Sequence, residues 1–256
     1  MLQSQQRIYV WLILLNAAPI STDTYLELTR RGPSPAHAKI CNDTFRTFKT
    51  NPLFKRRVTE SSLIRLLNAT AWKLCETKGQ PASASLRAKN TSNSAGSPEI
   101  HSAKLVERNG QIPDNGLSDL ESSSGVYVQG MNVMCAPFLY VARSEAEAFI
   151  AFHCFITREC PGYVRGAMDG VHKGVALVDR CLAIVEPRLA SHLLDKGVKA
   201  EVYAFASVLT MCAATPPLQE VLHLWDFLFA YGAHLNVLCI CAQLIIKKED
   251  LLASAR

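Results

Sequence analysis

The sequence lacks the short motifs that mark metal and nucleotide sites. No cysteine pair has CxxC spacing, none of the seven histidines belongs to an HExxH motif, and there is no GxxxxGK[ST] loop to hold phosphates. The nine cysteines are an odd number and lie mostly inside apolar runs, which is typical of buried thiols in a reduced, cytosolic chain rather than of a disulfide framework. We therefore expect no metal site and no cofactor of the chain's own.

The sequence also lacks a long block of like charge and an apolar run long enough to cross a membrane. The net charge of +5 is spread along the chain, apart from residues 55–57, which we interpret as a solvated helix face. After Arg7, the run IYVWLILLNAAPI has features of a secretory signal. Sequons that would suit secretion begin at Asn42, Asn68 and Asn90. The run nevertheless holds only about ten strongly apolar residues, half of the roughly 20 that a transmembrane helix needs. We predict a buried first helix, no membrane insertion and no nucleic-acid partner, with a secreted or membrane-anchored helical protein as the alternative.

No segment bounded by turn residues alternates apolar and polar residues, so no strand is predicted and the expected fold class is all-α. Apolar residues recur instead at helical spacing. Helices are predicted over residues 6–16, 23–31, 40–48, 59–75, 129–142, 145–160, 168–194, 201–214, 218–231 and 234–256. Ser21 or Thr22 is expected to cap the second helix and Ser144 the sixth, and Pro187 to mark a kink or a break.

Residues 76–124 differ in composition from the rest of the chain. Ser, Asn, Gly and Pro dominate this segment, and it contains no aromatic residue. Because such a segment has little apolar surface to bury, we predict a disordered insertion. Residues 1–75 and 125–256 are then expected to pack together as the two helical parts of one domain.

Two short polar segments interrupt the otherwise apolar helical sequence. In KICNDTFRTF, residues 39–48, Asp43 and Arg46 are three positions apart, so the carboxylate can orient the guanidinium on one helical face. In YVQGMN, residues 127–132, Gly130 permits close backbone approach and Gln129 has an amide free to donate and accept. Taken singly, the segments could be a surface ion pair and a capping turn. Taken together, an arginine and a glutamine on an apolar helical body are typical of an activator of phosphoryl transfer.

Three segments resemble, in order, the signatures of the TBC domain, the all-helical GTPase-activating domain for Rab-like small GTPases. They are ICNDTFRT with Ile40, Asp43, Arg46 and Thr47, then YVQGMN, then VLHLWDFLFAYG at 221–232. The early RIYVWLILL, with Arg7 and Trp11, resembles that domain's opening helix, so the resemblance covers the chain outside the predicted insertion. The amino-acid sequence of the second half is similar to that of the fungal mitotic-exit and septation checkpoint member of the family. That likeness implies a checkpoint scaffold partner, a GTPase of the cell-cycle network, and a location in the cytoplasm and at the spindle pole body.

The resemblance implies a role for each matched residue. Arg46 would be an arginine finger inserted in trans, and Gln129 a second finger that orients the attacking water. The residues implied to support them are Asp43, Thr47, Tyr127, Gly130 and Asn132. Those implied to be structural are Trp11, Trp225 and Asp226. The nucleotide and its Mg²⁺ would belong to the partner GTPase.

The sequence departs from the family pattern at two positions. His223 stands where the family usually has an arginine before Leu-Trp-Asp, and Lys49 stands where a proline often follows the first motif. The alternative function is a TBC-like scaffold that binds a GTPase or a checkpoint partner without accelerating hydrolysis. Both Arg46 and Gln129 are present, which favours an active protein.

Overall fold

The computed structural model describes residues 4–18, 21–48, 51–79, 126–164 and 168–254. Every regular element within these ranges is a helix, which confirms the all-α prediction. The predicted disordered insertion lies almost entirely outside the described residues. The helix that precedes it was predicted to end at Cys75 and continues to Gly79.

The helices fall into two groups in the chain. The first group is α1 Ser4–Leu14, α2 Thr22–Arg30, α3 His37–Thr44, α4 Pro52–Arg57 and α5 Glu60–Gly79. The second group is α6 Met131–Val141, α7 Glu145–Cys154, a π-helical turn Phe155–Glu159, α8 Pro161–Val164, α9 Asp169–Val185, α10 Pro187–Asp195, α11 Ala200–Tyr203, α12 Phe205–Leu209, α13 Leu218–Tyr231, a 3₁₀ turn Ala233–Leu235, α14 Asn236–Ile246 and α15 Lys248–Ala253. None of these described helices combines the length and apolar composition that a membrane-spanning segment needs.

Local hydrogen bonds explain where several helices begin. Ser21 Oγ accepts from the Asp23 amide at 3.0 Å, and Ser144 Oγ accepts from the Glu147 amide at 3.2 Å, which confirms both predicted caps. Asn51 caps α4 in the same way, and this short helix was not predicted. Pro187 separates α9 from α10 and is the first residue of α10, where its missing N–H removes no helical bond.

The sequence predictions of helix extent over 40–48 and 201–214 are wrong. The helix expected over 40–48 begins at His37 and ends at Thr44, and a turn carries Arg46 beyond it. The single helix expected over 201–214 is two short helices, α11 and α12, followed by a turn. In that turn Met211 and Cys212 have φ values of 50° and 59°, which no α-helix accommodates.

The larger of two apolar cores draws on both parts of the chain. At its centre, an aromatic cluster joins helices α1, α6 and α13 and the π-helical turn through Trp11, Phe138, Phe155, Trp225 and Phe229. Helix α5 also packs on α6 and α7. The smaller core lies between α9 and the helices α10, α12 and α14. Residues 4–79 are thereby packed against the described helices that follow the insertion.

Candidate functional site

A cleft of about 770 Å³ lies where the two polar segments meet. One side is formed by the end of α3 and the turn after it, including Asp43 and Arg46, and the base by residues 128–133, including Gln129. The opposite side is formed by Met168 and by residues of α12 and the turn that follows it. Arg46 and Gln129, predicted from separate motifs, therefore line one cleft.

Arg46 is held by the carboxylate that the spacing suggested. Its Nη2 donates to Asp43 Oδ1 at 2.7 Å, and the pair is an i,i+3 ion pair. The Arg46 side chain is 56% exposed whereas that of Asp43 is 10% exposed, so the guanidinium faces solvent from a buried anchor. Within the described part of the chain, one of the five N–H donors of the guanidinium is used, and the others are available to an anionic ligand.

Asp43 is itself fixed by a residue of the second motif. The Tyr127 hydroxyl donates to Asp43 Oδ2 at 3.0 Å. Burial raises the pKa of Tyr127 well above its ordinary value of 10, and the neighbouring Asp43 carboxylate raises it further. The phenol therefore stays protonated and remains a hydrogen-bond donor to the carboxylate.

Asn132 joins the two motifs a second time. Its Nδ2 donates to Thr47 Oγ1 at 2.8 Å and to the Asp43 carbonyl at 3.3 Å, and its Oδ1 accepts from the Gly130 amide at 3.2 Å. The Asn132 side chain is almost completely buried. A fully bonded buried amide of this kind fixes the geometry of the groups around it. It sets the loop that carries Gln129 against the turn that carries Arg46.

Gly130 is required by the shape of that loop. Its φ of +101° lies in a region that side-chain-bearing residues rarely adopt. A Cβ at this position would lie 3.1 Å from Leu209 Cδ2 on the opposite wall. Gln129, which precedes it, is exposed, and its side chain makes no hydrogen bond to another described residue. The Gln129 amide is thus free for a partner, while the backbone on its C-terminal side is fixed.

The residues predicted to be structural do not line the cleft. Asp226 accepts from Arg7 Nε at 2.9 Å and from Trp11 Nε1 at 2.8 Å, which fastens α1 to α13. Trp225 is fully buried and donates from Nε1 to the Met211 carbonyl at 2.8 Å. The third motif therefore contacts the turn behind the far wall of the cleft.

The two departures from the family pattern lie apart from this network. His223 is half-exposed, does not line the cleft, and lies 3.8 Å from the Glu220 carboxylate on the same helix. Lys49 is outside the described residues. Among the residues that are described, no group of three histidine, cysteine or acidic side chains is arranged to hold a metal ion.

Sequence reasoning missed the far wall of the cleft. Met168, Leu209 and Thr210 line it, together with Pro216 and Leu218. No local pattern marks Met168, Leu209, Thr210 and Leu218 as part of a site, because they are apolar or small and belong to segments that read as ordinary helix. The consecutive prolines at 216 and 217 were the one signal that a helix ended there.

The chain has clear relatives among known proteins. The model of the Rab-GTPase-TBC domain matches residues 121–252. "Cell division control protein 16" of Schizosaccharomyces pombe is 41% identical over 249 residues, which cover 97% of this chain and 67% of that protein. "Mitotic check point protein BUB2" of Saccharomyces cerevisiae is 35% identical over 255 residues, which cover 98% of this chain and 72% of that protein. Both matches extend over nearly the whole chain.

Two solved structures have the same fold. The flagellar RabGAP TBC domain of Chlamydomonas superposes with a TM-score of 0.69 at 17% identity, covering 99% of this chain and 70% of that one. The Ypt/Rab-GAP domain of Gyp1p superposes with a TM-score of 0.67 at 15% identity, covering 99% and 79%. At these identities the likeness shows the fold alone.

Proposed function

Because the chain belongs to the Rab-GTPase-TBC domain family, we propose that it is a GTPase-activating protein that accelerates GTP hydrolysis by a Rab-like small GTPase. One observation carries this proposal. Arg46 and Gln129 come from motifs far apart in the chain, yet they line one cleft and are joined through Asp43, Tyr127 and Asn132. The arrangement offers a cation and a neutral amide to a single ligand.

In this mechanism Arg46 stabilises the transition state of phosphoryl transfer. Negative charge is spread over the phosphate oxygens as the γ-phosphoryl group is transferred, and a guanidinium supplied in trans can bind them. Asp43 occupies one Nη2 donor and limits the rotation of the side chain, which reduces the entropy lost when the partner binds. We assign the GTP and Mg²⁺ to the GTPase, because the sequence of this chain has no GxxxxGK[ST] loop to hold phosphates.

Gln129 is assigned the orientation of the attacking water. A primary amide both donates and accepts, so it can bind the water and a group of the partner at the same time. The side chain is exposed toward the cleft, while the Gly130 amide that follows is bonded to Asn132. Support for the role therefore comes from a free side chain on a fixed backbone.

The curated relatives suggest the cellular process. Their names refer to cell division control and to a mitotic checkpoint. We therefore assign the GTPase substrate to the control of mitotic exit and septation. The checkpoint scaffold partner and the spindle-pole-body location remain predictions from the resemblance.

The test is single-turnover phosphate release from a panel of GTP-loaded Rab-like GTPases, with and without a candidate scaffold. Wild type should stimulate at least one of them. Arg46→Ala should lower the stimulated rate by about 10³-fold or more, and Arg46→Lys should recover little of it because an ammonium lacks the planar fork. Gln129→Ala should also abolish most of the stimulation.

Two variants serve as matched controls. Arg180→Ala removes an exposed arginine of α9, and Gln243→Ala removes an exposed glutamine of α14, and neither residue lines the cleft. Both should stimulate like wild type. Binding of a GTPase without stimulation by the wild-type protein would replace the proposal with the scaffold function, and normal stimulation by Arg46→Ala would remove Arg46 from the mechanism.

A further inference from the structure

The far wall of the cleft depends on a turn of unusual backbone conformation. Met211 and Cys212 both have φ in the left-handed region, at 50° and 59°. Two consecutive residues with side chains are unfavourable there, and such a conformation persists only where its surroundings determine it. The turn follows α12, and residues on both sides of it, Leu209 and Ala214, line the cleft.

Asn236, the first residue of α14, holds this turn from behind. It is 2% exposed, its Nδ2 donates to the Ser207 carbonyl at 3.1 Å, and its Oδ1 accepts from Cys212 Sγ at 3.2 Å. Burial raises the pKa of Cys212 to about 12, so the sulfur carries the proton that it donates. The Cys212 amide also donates to the Ser207 carbonyl at 2.8 Å. The Asn236 amide is therefore bonded both to Ser207, before the turn, and to Cys212, within it.

A second bond comes from the third sequence motif. Trp225 Nε1 donates to the Met211 carbonyl at 2.8 Å from a fully buried indole. The turn is thus bonded to α13 and to α14 at adjacent residues. Buried polar groups satisfied on both sides are arranged to specify a single conformation.

Leu209, the last residue of α12 before the turn, lies close to the glutamine motif. The Leu209 Cδ2 lies 3.1 Å from the place where a Cβ of Gly130 would stand, and Cγ lies 3.2 Å from it. Gly130 in turn follows Gln129 directly. The side chain of Leu209 therefore limits the space beside the Gly130 backbone.

We propose that Asn236 is a positioning residue for Gln129. It acts by holding the left-handed turn at Met211 and Cys212, which sets Leu209 against the Gly130 backbone. This inference rests on the proposed GTPase-activating function and assigns to it a residue outside the cleft and outside the three motifs.

The first readout uses the chain alone. Asn236→Leu keeps the approximate volume and removes both hydrogen bonds, and amide hydrogen exchange is measured by mass spectrometry. Exchange should rise by about tenfold or more in peptides that cover 126–132, as well as in those that cover 205–216. Asn42→Leu, an exposed asparagine of α3, should leave both regions unchanged. Unchanged exchange over 126–132 in Asn236→Leu would overturn the proposal.

The second readout is the stimulated rate. Asn236→Leu should lower the maximal rate by about tenfold and leave the half-saturating concentration of the GTPase within about twofold. The reason is that the change misplaces Gln129, which is proposed to act on the transition state. In the Gln129→Ala background, the same change should alter the maximal rate by less than about twofold. Equal effects in the two backgrounds would show a general structural role and would overturn the proposal.

A third variant covers the case in which Asn236→Leu fails to fold. Cys212→Ala deletes one hydrogen bond of the turn, and Cys212→Ser, which restores an O–H donor, should recover the lost rate and the exchange protection. No stimulation by wild type with any GTPase would refute the proposed function. The exchange experiment would still decide the positioning by Asn236, because it needs no GTPase.

Discussion

Asn132 Nδ2 lies 2.8 Å from Thr47 Oγ1, although the two residues are 85 positions apart in the chain. The bond connects the arginine motif to the glutamine motif directly, without an intervening element. It exists only when the helices before residue 80 are packed on those after residue 125. The proposed activity, which needs both motifs, is thereby tied to the assembly of the whole domain.

Asn132→Ala should weaken both stability and activity. The Gly130 amide loses its bond to Asn132 Oδ1, and Thr47 loses its donor, in a buried setting. We expect a loss of about 1–3 kcal/mol in the free energy of unfolding and a stimulated rate close to that of Gln129→Ala. Urea unfolding and phosphate release measure the two effects. Asn42→Ala, an exposed asparagine of α3, is the control, and a wild-type rate in Asn132→Ala would contradict the role of the bond.

Gly130→Ala should destabilise the protein for two separable reasons. The φ of +101° is unfavourable for alanine, and the new Cβ would lie 3.1 Å from Leu209. Together these should reduce the free energy of unfolding by about 1–3 kcal/mol. The matched control is Gly197→Ala, with φ of +69° and nothing within 4 Å of the new Cβ, which isolates the backbone contribution.

The contact with Leu209 can be tested by a double variant. Gly130→Ala combined with Leu209→Ala should lose less free energy of unfolding than the sum of the two single changes, since the truncated side chain leaves space for the methyl group. Thermal or urea unfolding of all four proteins completes the cycle. Strict additivity would show that the two residues do not interact.

Tyr127→Phe should loosen the support of Arg46. The change removes the hydroxyl that donates to Asp43 Oδ2 at 3.0 Å and leaves that oxygen without a donor among the described residues. A loss of about 1–2 kcal/mol in the free energy of unfolding is expected, with a lower stimulated rate. Tyr231→Phe, at an exposed tyrosine of α13, should change neither quantity. A full rate in Tyr127→Phe would mean that Asp43 orients Arg46 without this bond.

The stability of the fold should fall between neutral and mildly acidic pH because of His153. Burial lowers the pKa of His153 to about 4, and Lys73 and Arg158 contribute in the same direction. The unfolded chain binds this proton near pH 6.5 whereas the folded chain does not, so the stabilisation is complete above about pH 6.5 and is lost progressively as pH falls toward about 4.

His153→Leu should flatten this pH dependence. The His153 Nε2 has no hydrogen-bond partner among the residues that the structure describes. The change therefore removes no described bond of that atom, and the comparison at pH 7.5 isolates the packing effect. Urea unfolding between pH 7.5 and 4.5 gives the slope for each protein. Equal slopes in wild type and His153→Leu would assign the acid sensitivity to other groups.

Local signals accounted for much of the secondary structure. The caps at Ser21 and Ser144 and the helix start at Pro187 follow from hydrogen bonds and backbone restrictions within four residues of each position. The prediction of a helix over 201–214 was wrong because the conformation of its last residues depends on hydrogen bonds to residues far away in the chain. Met211 and Cys212 adopt left-handed conformations that Trp225 and Asn236 hold from other helices.

In the site, too, some features follow from local sequence and others depend on contacts between distant residues. The ion pair of Asp43 and Arg46 follows from a spacing of three residues, and the three motifs could be read in order along the chain. The helical class and the residue types of the site were therefore present in the sequence itself. The cleft was decided only by tertiary structure, since it requires Tyr127 to reach Asp43 and Leu209 to reach Gly130. Periodicity and capping act within a turn or two of helix, whereas the position of one wall relative to the other depends on the packing of every helix between them.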